Sequence, residues 1–191
     1  MSLVIIKVDR EKRTHSAYCD GRCGNMVMQK ANKISEYNTQ GHSILVGTTG
    51  YRNFNTYFRL HFEEIAVRER LLDYLDDNDV ATTKLIDIGM IIWRDFCAKI
   101  GLSKKKNSYD TFGAILSIDG KLYELDGSII DERFVFESHV VDRDFAVSGS
   151  EDTAALCLLE AGVDIKTIFK VISKYTYYVN DNITSIEDVM F

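Results

Sequence analysis

Ser2-Leu3-Val4-Ile5-Ile6-Lys7-Val8, directly after Met1, is an apolar run interrupted only by Lys7. A strand that is apolar on both faces belongs in a sheet covered on both sides. A charged turn, Asp9-Arg10-Glu11-Lys12, separates it from a second strand at residues 14–19. There His15, Ala17 and Cys19 share one face, and Thr14, Ser16, Tyr18 and Asp20 the other. Gly21 and Gly24 mark a loop. Lys33-Ile34-Ser35-Glu36-Tyr37 and His42-Ser43-Ile44-Leu45-Val46 read as further strands, and Gly47-Thr48-Thr49-Gly50 as a turn into a long helix. The chemistry of this opening lies in its second residue. If Met1 is removed, the Ser2 hydroxyl stands beside a free α-amine of ordinary pKa roughly 7.7–8.0, a nucleophile next to its own base.

Working outward, the spacing predicts a helix over 51–75, with Phe54, Phe58, Phe62, Ile65, Leu72 and Leu75 as its apolar stripe. Asp76-Asp77-Asn78-Asp79 would stop it as a solvated turn, since the alternating ligands of a calcium loop are missing. A second helix over 82–100 carries two stripes: Leu85, Ile88, Ile92 and Phe96, then Ile86, Met90, Trp93 and Cys97. So much apolar circumference implies burial in a core or use at a subunit contact. Gly101 would end this helix, and Lys104-Lys105-Lys106 would form a solvated loop. Asp119-Gly120, between residues 113–118 and 121–125, is the strongest hairpin signal in the chain. Residues 128–144 carry a weaker pattern, with Phe134-Val135-Phe136 as strand-like alternation. Phe145-Ala146-Val147 is a short strand, and Ser148 with Glu151 has capping-box spacing for a helix over 151–161 closed by Gly162. Asp164 would cap a last helix, with Ile165, Ile168, Phe169 and Ile172 inward. A terminal strand or tail follows from residue 182.

The chain has 191 residues and no proline, enough for one domain with a sizeable core. A net charge of −6 speaks against a broad nucleic-acid footprint. No apolar run reaches membrane-spanning length, and no basic-then-apolar leader is present, so a cytoplasmic protein is expected. Cys19, Cys23, Cys97 and Cys157 are too scattered for a small disulfide framework. His15, Cys19 and Cys23 lack a fourth ligand and would not converge from a strand, so no metal is expected.

The order of these pieces resembles the N-terminal-nucleophile hydrolases, most closely the proteasome-like bacterial HslV peptidases. The resemblance rests on Asp20-Gly21, Gly24-Asn25-Met26-Val27-Met28, Asn32-Lys33-Ile34, Ile44 to Gly50, Trp93-Arg94, Ser148-Gly149-Ser150 and Ser185-Ile186-Glu187-Asp188-Val189. It spans nearly the whole chain. It implies an α+β fold, a four-layer αββα sandwich, as one proteasome-like domain over 1–191 with an insertion around 128–144. It also implies threonine-type endopeptidase chemistry, here with Ser2 as nucleophile and Asp20 pairing with Lys33. Lys33 would lower the α-amine's pKa, and the Gly50 backbone N–H would meet the developing oxyanion, its glycine letting substrate approach closely. Ser148 and Ser150 are the supporting hydroxyls. No cofactor is expected. A homo-oligomeric ring, an ATP-dependent unfoldase and an unfolded polypeptide substrate are the implied partners, with neither nucleic acid nor membrane. Serine replaces the family's usual threonine, Ser-Gly-Ser its Gly-Ser-Gly, and Tyr175 stands where an aspartate is common. The serine and the altered Ser-Gly-Ser stretch favour one rival, a non-catalytic ring or scaffold subunit; a small-molecule amidase on the same fold is a further alternative.

Overall fold

The computed structural model describes residues 2–23, 26–27, 33–100, 111–130 and 133–190. The sequence-predicted features at Gly24-Asn25, Met28, Asn32, Gly101 and Lys104–Lys106 lie outside the described residues. Among the described residues, eleven strands and four α-helices follow one another in chain order. Strands β1 (Leu3–Asp9) and β2 (Thr14–Asp20) pair with β10 (Phe145–Gly149) and β11 (Ile183–Val189) in a four-stranded sheet of order β10-β1-β2-β11. Strands β5 (Ile34–Thr39), β6 (His42–Gly50), β7 (Thr111–Ile118), β8 (Lys121–Ile130) and β9 (Arg133–Val141) make a five-stranded sheet in that order. All pairings are antiparallel. A two-residue ladder joins β3 (Arg22–Cys23) to β4 (Met26–Val27). Helices α1 (Arg52–Arg68) and α2 (Asn78–Ile100) cover the five-stranded sheet, and α3 (Asp152–Glu160) and α4 (Ile165–Tyr175) the other.

Strand periodicity divides the core. Val4, Ile6 and Val8 of β1 point between the sheets with Ala17, Cys19, Leu45 and Ile115. Leu3 and Ile5 point the other way, onto Ile168, Phe169 and Ile172 of α4. The outer faces of β6 and β7, through Ile44, Val46, Phe112 and Leu116, meet Phe54, Phe58 and Phe62 of α1 and Leu85, Ile88 and Ile92 of α2. Three apolar interfaces between four layers are therefore filled, and the αββα sandwich is the observed architecture.

Several expectations are corrected. Residues 47–50 are not a turn: β6 continues through them, with Thr48 opposite Ala114 and Gly50 opposite Phe112. The sheets cross closely there, since a Cβ on Gly47 would lie 2.4 Å from Val4 Cγ1. α1 stops at Arg68 rather than Leu75, because Arg70 adopts a left-handed φ of 59° before a 3₁₀ turn at Leu71–Tyr74. Asp77 belongs to the start of α2, which begins four residues earlier than the stripe implied: its Oδ1 accepts from the amides of Asp79 and Val80. Ser148 caps nothing. It lies within β10, and α3 begins after Glu151 with no side-chain cap. Asp164 does cap α4, its carboxylate accepting from Thr167 N at 3.0 Å. The Asp119-Gly120 hairpin has φ of 48° and 80°, left-handed at both positions as a type I′ turn requires. Residues 128–144 include β9, whose Phe134 stacks on Trp93 of α2 at 4.0 Å between ring centroids. Part of α2's second stripe is thus covered from within the chain.

Candidate active site

Asp20 ends β2 and is fully enclosed. A buried carboxylate needs donors, and Oδ1 receives two: Lys33 Nζ at 2.6 Å and the Leu3 amide at 2.9 Å. Lys33 Nζ also donates to the Asp20 carbonyl at 2.8 Å. Lys33, immediately before β5, is itself only 6% exposed. The ammonium and the amide of the residue after Ser2 therefore converge on one oxygen atom. This is an ion pair removed from solvent and anchored to the head of β1, where its Coulomb interaction is poorly screened.

Ser2 is half-buried at that head, and its carbonyl accepts from Ser150 N at 3.1 Å. Gly149, the last residue of β10 and flanked by Ser148 and Ser150, has φ +136°, and a Cβ there would sit 1.9 Å from Ser2 O. Only glycine lets β10 lie this close to Ser2. Ser150 Oγ is buried without a hydrogen-bond partner among the described residues, whereas Ser148 Oγ bonds Thr49 Oγ1 at 2.7 Å. Gly50 follows Thr49 at the end of β6. Its missing side chain is required by its own strand pairing, since φ is +94° and a Cβ would meet Thr111 O at 2.2 Å. Tyr175, by contrast, stands at the end of α4 with 86% of its surface exposed.

The groups around the pair include several that periodicity alone did not reveal. Cys19 is enclosed beside it, and burial pushes its thiol pKa up to about 11 despite the nearby Lys33 cation, leaving an unreactive thiol. Thr48 donates its amide to Lys33 O at 2.8 Å, and Arg59 of α1, 4% exposed, donates to Thr48 Oγ1. Asn180 accepts from Gly21 N at 2.9 Å and so holds the chain just past Asp20. The one available signal for Arg59 was its i+4 spacing from Asn55 along the margin of the phenylalanine stripe, where both polar residues are buried.

His15 and Cys19 share the inner face of β2, but both His15 ring nitrogens are occupied: Nδ1 by Ser117 Oγ at 2.7 Å and Nε2 by Ser43 Oγ at 2.6 Å. Among the described residues no group of three or more His, Cys, Asp or Glu side chains could hold a metal ion.

No family model and no curated protein matches the sequence. Solved structures do match. HslV from Trypanosoma brucei superimposes with a TM-score of 0.63 at 12% identity, covering 99% of each chain. The fold is that of the proteasome-like N-terminal-nucleophile hydrolases. Two further likenesses agree. The helical assembly of the Anbu complex from Pseudomonas aeruginosa gives a TM-score of 0.57 at 12% identity over 99% of this chain and 81% of that one. Anbu from Yersinia bercovieri, described as an ancestral beta-subunit, gives 0.55 at 9% identity over 98% and 80%. In this N-terminal-nucleophile fold, the Asp20–Lys33 pair lies at the leading end of β1, and no described helix is long and apolar enough to cross a membrane.

Proposed function

We propose that the chain is a proteasome-like peptidase subunit that hydrolyses peptide bonds with Ser2 as an N-terminal nucleophile once Met1 is removed. The observation that carries this reading is the single Asp20 oxygen shared by Lys33 Nζ and the amide next to Ser2. A cation held there disfavours protonation of a neighbouring α-amine and keeps it available as a base. In the proposed cycle the amine takes the hydroxyl proton as Ser2 Oγ attacks the peptide carbonyl carbon. The resulting oxyanion is met by backbone N–H, with Gly50 as the proposed donor. Collapse breaks the C–N bond, and the α-ammonium returns its proton to the departing amine. Water, deprotonated by the same amine, then cleaves the acyl ester and restores Ser2. Ser148, in β10, and Ser150, just after it, support the amine, and the stretch around 128–144 is an insertion in the one domain.

Assembly of like subunits belongs to the same reading, supported by the helical Anbu assembly among the likenesses. A ring, an unfolded polypeptide substrate and an ATP-dependent unfoldase complete it. The test compares peptide hydrolysis by the native protein, Ser2→Ala and Lys33→Ala. Both variants are expected to assemble and to lose turnover; hydrolysis undiminished in Ser2→Ala refutes the mechanism. A second reading, a non-catalytic assembly subunit, is favoured by Tyr175, which reaches solvent where the resemblance places an aspartate. Met1 persisting on purified, assembled protein would select it.

A further inference from the structure

Lys33 can act only if its ammonium is held in one place, and the fold shows how its backbone is held. Its carbonyl accepts from Thr48 N at 2.8 Å and lies 3.5 Å from Thr48 Oγ1. The Thr48 hydroxyl in turn accepts from Arg59 Nη1. Thr48 is fully enclosed, and the buried Arg59 side chain reaches it from α1. The α1 end of the connection is fixed as well, because Tyr37 of β5 donates its hydroxyl to the Arg59 carbonyl. A buried guanidinium is costly compared with an apolar side chain of similar volume, so its place between α1 and Thr48 calls for a reason beyond packing.

We propose that Arg59 is a positioning residue for Lys33, acting through the Thr48 hydroxyl to fix the backbone from which the Lys33 side chain reaches Asp20. The chemical consequence rests on the peptidase reading; the geometry does not. Thr48→Val removes the hydroxyl while keeping the shape, Thr48→Ser restores it, and Arg59→Met and Arg59→Lys do the same for the donor.

The first readout needs no activity: the ¹⁵N resonance of the Lys33 ammonium, assigned by its absence in Lys33→Arg. The native protein should show it as a slowly exchanging signal. Thr48→Val and Arg59→Met should lose it at unchanged fold, and Thr48→Ser should retain it. If Arg59→Met fails to fold, the Thr48 pair still decides. In the hydrolysis assay, Thr48→Val should lower kcat on the order of 10²-fold with KM little changed, the scale of a small misplacement. A resonance that persists in Thr48→Val and Arg59→Met, or is missing from the native protein, overturns the proposal. Native protein that holds the resonance but cleaves nothing refutes the peptidase reading and leaves the positioning role standing.

Discussion

Asp20 and His15 sit at opposite ends of β2, roughly 17 Å apart by strand rise, and both are sealed from solvent. At the Asp20 end the buried groups are ionic and are anchored to the head of β1 through the Leu3 amide. At the His15 end the network is neutral at its centre and saturated. Ser43 donates its only proton to Asp188 Oδ2 at 2.6 Å, so His15 Nε2 must be the donor to Ser43 Oγ and Nδ1 the acceptor from Ser117. Ser43 N donates to Asp119 Oδ1, and Asp119 also holds His42. The network binds both sheets and β11 together, and each imidazole nitrogen already has its partner. Two enclosed polar clusters on one strand thus differ in kind: one is an ion pair tied to the head of β1 through the Leu3 amide, and the other closes on itself through neutral imidazole and hydroxyl groups. A buried histidine between serines is therefore a brace here.

That contrast can be broken most forcefully at Lys33. Lys33→Ala leaves the enclosed Asp20 carboxylate with its main cation gone, and a stability loss of about 3–5 kcal/mol is expected in chemical denaturation. Peptide turnover should disappear with it. His15→Leu should cost less, about 1–3 kcal/mol, by leaving Ser43 and Ser117 each short of a partner, and should spare turnover. An equal loss of turnover in His15→Leu would erase the distinction between the two ends.

Acid sharpens the comparison. Burial holds the His15 pKa below its ordinary value, against the opposing pull of Asp188 and Asp119. The unfolded chain therefore takes up a proton before the folded one does. Stability from His15 is complete above about pH 6.5 and falls as pH drops below that, by at most about 1.4 kcal/mol per pH unit. His15→Leu should flatten this window in denaturation curves collected between pH 7 and 5. Asp188 acts lower. Burial pushes its pKa up, but hydrogen bonds from Ser43 and the Val189 amide outweigh that and hold it below the usual carboxylate value. Its contribution is lost only as pH falls through the carboxylate range. The smallest effect belongs to a site remote from both clusters: Asp164→Ala, at the exposed start of α4, should lower Tm slightly and leave turnover and the pH window unchanged.

The layers were legible because burial repeats where periodicity says it should. Phe54, Phe58, Phe62 and Ile65 are all enclosed, as are Leu85, Ile88, Ile92 and Phe96. The Asp119-Gly120 turn was legible from its residue types alone. The Asp20–Lys33 pairing came from the ordered resemblance, since neither residue is distinctive in isolation. What escaped was decided by tertiary contact. Thr48 and Thr49 read as turn residues, yet pairing with β7 draws them into a strand. Arg59 drew no reading from periodicity, because its burial depends on the Thr48 hydroxyl it meets on β6. Ser148 has the right spacing to cap α3, but its hydroxyl is engaged by Thr49 across the sheets.

The most direct measurement is the mass of the N-terminal peptide from native, assembled protein. The account predicts a peptide that begins at Ser2 with an unmodified amine. A peptide that still carries Met1 would contradict it, because the Ser2 hydroxyl would then have no free amine of its own.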